Sequence, residues 1–72
     1  MRDKKDPDLE RRFNYHAPKD DQQERYEQIR AAARAFAYLI VDLTPFCPEQ
    51  TRAIDKLDEV VMLANAAIAR NE

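Results

Sequence analysis

Glycine, serine and tryptophan are absent from all 72 residues, and the chain has one cysteine and one histidine. Each shortage closes a class of function. P-loops and dinucleotide-binding turns need glycine so that backbone amides can approach phosphate. Phosphate recognition therefore falls to arginine, lysine or a helix N-terminus. Cys47 has no disulfide partner, and His16 has no second imidazole with which to hold a metal. No serine is present for His16 to activate, and Cys47 stands beside Pro48 without an activating neighbour. The expectation is a protein without catalytic residues, cofactor or metal, in which Asp20-Asp21 and Asp55-Asp58-Glu59 serve as caps and a solvated face.

Long apolar runs are missing too. Nothing approaches the ~20 residues of a membrane span, and Met1-Arg2-Asp3-Lys4-Lys5-Asp6 leads into charges instead of a signal-peptide apolar region. These features predict no membrane association and a cytoplasmic location, with which a lone cysteine agrees. Twelve basic and 14 acidic residues are mixed along the chain, for a net charge of -2. That balance argues against the cationic surface that duplex nucleic acid selects.

What is present reads as one all-α domain spanning 1–72, with 1–8 as a flexible leader. A short helix is expected over 8–12, with Pro7 in its first turn. A long helix follows from an N-cap at Asp20 or Asp21 to Leu43, where Thr44-Pro45 stops it. Tyr26, Ile29, Ala33, Phe36, Ile40 and Leu43 are spaced alternately three and four apart, as in a paired-helix seam. A second long helix begins near Pro48, with Ile54, Leu57, Val61, Ala64 and Ile68 as its seam. The short link between them requires an antiparallel hairpin.

A chain this small leaves roughly 40% of its unfolded surface exposed and needs help to fold. With disulfide and metal set aside, self-association remains. Ala31 to Val41 and Val60 to Ala69 are apolar nearly all round, which implies burial on several sides. A homo-oligomer of hairpins is expected, in its plainest form a dimeric four-helix bundle. Asn65 lies within the second apolar stretch and would bridge helices in such an assembly.

Arg12-Phe13-Asn14-Tyr15-His16-Ala17-Pro18 packs two aromatics, the histidine and a cation into a strip read as wholly non-helical. Phe13, Tyr15 and His16 either stack on a base or reach a phosphate, or simply pack the strip onto the hairpin. Pro18 closes the strip. Arg30 and Arg34, four apart, form a two-pronged anion clamp or are neutralised by Glu27, Asp42 or solvent. Arg70 either caps its own helix or contributes to a ring of cations in an oligomer.

The Arg12–Pro18 strip, then Arg25-Tyr26-Glu27-Gln28-Ile29-Arg30, then Ala64-Asn65-Ala66-Ala67-Ile68-Ala69-Arg70-Asn71, resembles the small phage anti-CBASS sponges. Their helical-hairpin domain is shared with Thoeris antagonists. The resemblance runs from residue 9 to 71, with three separated motifs in order. It implies a hexameric, non-enzymatic protein of the host bacterial cytosol that sequesters cyclic oligonucleotide messengers such as 3',3'-cyclic GMP-AMP. Some members also hold cyclic trinucleotides at a second site.

Carried onto this chain, the resemblance makes Tyr15 the base-stacking residue, Arg30 a phosphate contact and Arg70 the candidate for the trinucleotide site. Phe13, His16, Pro18 and Arg34 join them by proximity. The chain departs from the family pattern at Leu63, where tryptophan is common, and in the linker Pro45-Phe46-Cys47-Pro48. The other reading is a helical interaction module that binds a host protein through its apolar faces.

Overall fold

A computed structural model describes residues 3–72. Met1 and Arg2, the start of the expected leader, lie outside the described residues. Three helices follow in order, α1 (Pro7–Phe13), α2 (Gln22–Leu43) and α3 (Pro48–Asn71). The fold is all-α, with α2 and α3 packed as an antiparallel hairpin.

Helix α1 starts where Asp6 accepts a bond from the Asp8 amide at 3.0 Å, with Pro7 in the first turn. It therefore takes in Pro7 and Asp8, the last residues assigned to the leader. It also runs one residue past the expected end: Arg12 and Phe13 are helical, and the irregular strip begins at Asn14. Asp8 explains this extension, because its carboxylate pairs with Arg11 at 2.6 Å and Arg12 at 3.1 Å on the next turn.

The strip turns into α2 through Asp20, whose φ of 53° lies in the left-handed region. Aspartate tolerates that region better than most residues do, so Asp20 reorients the chain in place of a glycine. Asp21 takes the N-cap position, but its side chain makes no capping bond. It pairs instead with Arg25 Nε at 3.2 Å. Helix α2 ends as Thr44 donates from both its amide and its hydroxyl to the Ile40 carbonyl. Cys47 caps α3, its Sγ accepting from the Gln50 amide at 3.4 Å.

The two buried residues of the hairpin are glutamines, one at each end. Gln22, 3% exposed, accepts from the Lys19 amide and donates to Glu72, so it joins the start of α2 to the end of α3. Gln50, 8% exposed, donates to the carbonyl and hydroxyl of Thr44 across the loop. Both ends are thus fixed by satisfied polar groups.

Between them the seam is thin. Tyr26, Ile29, Ala33, Ile40, Ile54, Leu57, Val61, Ala64 and Ile68 are half-buried as the spacing predicted, but Phe36 and Leu43 are exposed. Ala37 takes the place expected of Phe36. The seam of α2 steps by four from Ala33 to Ala37, following the 3.6-residue period of straight helices instead of the 3.5 of a supercoil.

Among the described residues no hydrophobic side chain is fully buried. The molecule measures 48 × 35 × 12 Å, a sheet of helices one helix thick. Its radius of gyration is 16.0 Å, against about 11 Å for a compact domain of this length. Its accessible surface is 6103 Å², about 1,400 Å² more than the ~4,700 Å² expected for a folded monomer of this mass. No described helix is long and apolar enough to cross a membrane.

Candidate functional site

The site is built at the open end of the hairpin, where three segments meet. The last turn of α1 leaves carbonyls without helical partners, and two of them hold side chains from the strip and from α3. The Arg11 carbonyl accepts from His16 Nε2 at 2.8 Å, which folds the strip back onto α1. The Arg12 carbonyl accepts from Arg70 Nη2 at 3.3 Å, which ties α1 to the end of α3. Arg70 thus caps α1 instead of its own helix.

This arrangement leaves a cleft of about 460 Å³ lined by Tyr15 and His16 from the strip, Tyr26 and Arg30 from α2, and Asn65 and Arg70 from α3, with Arg12 at its edge. Its volume lies in the range of small-molecule sites. Three guanidinium groups face it, and among the described residues no carboxylate does. Arg12 is paired with Asp8, whereas Arg30 makes no ion pair among the described residues. The cleft is therefore cationic, with aromatic rings beside the cations. Tyr15 is 86% exposed, so one face of its ring is free for a flat partner.

At the back, the Asn65 Oδ1 is buried without a hydrogen-bond partner. Outside the cleft lining, Glu72 receives both arms of the Arg25 guanidinium and the Gln22 amide. The Arg25 bonds, then the Gln22 bond, hold the Glu72 carboxyl down to about 2, and the same pairing raises Arg25 above its ordinary value.

A family model described as Acb2/Tad1, hairpin domain, matches residues 5–69. The chain belongs to that family. No curated protein and no solved structure matches it.

The Acb2/Tad1 hairpin brings together four of the seven residues singled out in the sequence: Tyr15, His16, Arg30 and Arg70 share the cleft. The other three stand elsewhere. Phe13 is exposed on α1, and Pro18 lies on the strip outside the cleft lining. Arg34 lies one turn beyond Arg30, in a groove of about 220 Å³ between α2 and α3 that Arg30 also borders. Neither Arg30 nor Arg34 pairs with Glu27 or Asp42. Arg70 also borders a depression of about 310 Å³ with Arg11 and Arg12.

The sequence reading missed Tyr26 and Arg12 as lining residues. Tyr26 was assigned wholly to the seam, yet it is half-buried and reaches both seam and cleft. An amphipathic side chain at the first seam position was the available signal.

Proposed function

We propose that this hairpin is a sponge for cyclic oligonucleotides, cyclic dinucleotides such as 3',3'-cyclic GMP-AMP and cyclic trinucleotides, which it holds without cleaving. The observation that carries the reading is the union in one cleft of an exposed tyrosine with an α2 arginine that makes no ion pair among the described residues. Cyclic nucleotides combine flat bases with phosphodiesters on a closed ring. Tyr15 stacks on a base, a contact worth roughly 1–3 kcal/mol. Arg30 meets the phosphate with charge-assisted bonds. Membership of the Acb2/Tad1 hairpin family supports the ligand class, and the Arg11, Arg12 and Arg70 depression is the place for a trinucleotide. Retention of the messenger in the bacterial cytosol would keep it from its effector and so block CBASS signalling.

Self-association is part of the same proposal, in the hexameric form that the family resemblance implies. The ~1,400 Å² of surplus surface exceeds the ~800 Å² per partner of a standard stable interface. Phe36, Tyr38, Leu39, Val41 and Leu43 are the exposed apolar residues of α2 that an assembly would cover. An open cleft with Tyr15 on its rim gains its second wall from a neighbouring protomer. The same apolar residues favour the other reading, a module that docks on a host protein.

Calorimetric titration with a panel of cyclic di- and trinucleotides tests the sponge. Micromolar or tighter binding that Tyr15→Ala and Arg30→Ala each weaken is the expected result. Absence of binding at micromolar ligand, with activity lost only on changing the α2 apolar face, refutes it in favour of the docking module.

A further inference from the structure

The geometry points to His16 as the specificity-determining residue of the cleft, its second ring nitrogen accepting a hydrogen bond from an N–H on a ligand base. This inference rests on the cyclic-nucleotide reading above and adds to it which edge of the ligand is read.

His16 Nε2 lies 2.8 Å from the Arg11 carbonyl oxygen. A carbonyl oxygen can only accept, so Nε2 must carry the proton. In the neutral ring the remaining nitrogen, Nδ1, then holds a lone pair. Half-buried and tied to α1, the imidazole is held at the wall of the cleft beside Tyr15.

The division of labour follows from donor and acceptor counts. Guanidinium groups only donate, and they suit phosphodiester oxygens, which only accept. A base edge that donates through N–H needs an acceptor instead, and the ring nitrogen of His16 supplies one. A cation at His16 would duplicate what Arg30 and Arg70 already offer; a neutral acceptor completes the set. The cleft should therefore prefer ligands whose base presents an N–H to this wall.

Substitution separates an acceptor from a cation at this position. Affinity for 3',3'-cyclic GMP-AMP is measured by calorimetry for the unaltered protein, His16→Lys and His16→Gln, with circular dichroism confirming that each variant is folded. Lysine keeps a donor for the Arg11 carbonyl and has no acceptor; glutamine has both a donor and an acceptor. His16→Lys should bind roughly tenfold more weakly, the equivalent of one hydrogen bond to the base, and His16→Gln should lose less. His16→Lys that binds as tightly as the unaltered protein or tighter marks a cation on phosphate and overturns the inference alone. So do equal losses in both variants. Absence of binding by the unaltered protein overturns the cyclic-nucleotide reading and this inference with it.

Discussion

Replacing Asn65 with leucine should make the protein more stable. The Asn65 Oδ1 is buried and has no hydrogen-bond partner, and its neighbours along α3, Ala64, Ala66, Ile68 and Ala69, are apolar and half-buried. A buried polar atom left unpaired costs about 1–3 kcal/mol. Leucine has the same branching with methyl groups in place of the amide, removes that cost and adds apolar surface. For a domain of this size each kcal/mol moves the melting temperature by about 4–8 °C. Asn65→Leu should therefore raise Tm by at least about 4 °C, measured by circular dichroism at matched protein concentration without nucleotide. Because the same amide lines the cleft, affinity for a bound nucleotide should fall about fivefold, the equivalent of one hydrogen bond of about 1 kcal/mol. An unchanged or lowered Tm would refute the reasoning. It would mean that the oxygen is satisfied in the assembled protein, as the sequence reading of Asn65 as an interhelical bridge supposed.

Four further outcomes are expected. Tyr15→Ala should weaken cyclic dinucleotide binding by about 1–3 kcal/mol, and Arg30→Ala by about 1.5–3 kcal/mol, both read by calorimetry with Tm unchanged. Acid should release the latch of Glu72 on Arg25: its folded carboxyl titrates near 2, below the usual 4.5, so its stabilising effect is complete above pH 4.5 and lost as pH falls toward 2. The stability difference between the unaltered protein and Glu72→Gln, followed by urea titration, should be constant above pH 4.5 and vanish near pH 2; a difference that persists at pH 2 contradicts the assignment. Leu39→Glu, on the exposed apolar face of α2, should shift the sedimentation coefficient toward that of a monomer, and an unchanged value would place the interface elsewhere.

The hairpin was legible because its signals are local. Proline at 45 and 48 brackets a link too short for anything but antiparallel helices, and the spacing of Ile54, Leu57, Val61, Ala64 and Ile68 fixes one face of α3. The α2 seam was less legible: three-four spacing placed Phe36 and Leu43 inside, whereas the half-buried positions run through Ala33 and Ala37 and leave both outside. The spacing of the large apolar residues does not decide which face turns inward when a straight helix advances by four. The site residues on the strip were legible as an unusual mixture of aromatics and cation. What sequence could not supply was their fastening. The contacts of His16 and Arg70 with the free carbonyls of α1 join residues up to 58 positions apart, and no periodicity encodes them. The buried glutamines were equally hidden, because Gln22 and Gln50 are polar residues in helix first turns that sequence reading assigns to solvent.

In the proposed function a protein one helix thick completes itself by assembling and traps a cyclic nucleotide intact. Native mass spectrometry of the protein titrated with 3',3'-cyclic GMP-AMP, followed by denaturation and weighing of the released nucleotide, tests it most directly. A homo-oligomer that carries ligand and returns it with its cyclic mass is the predicted result. A nucleotide-free monomer, or a linear product, would contradict it.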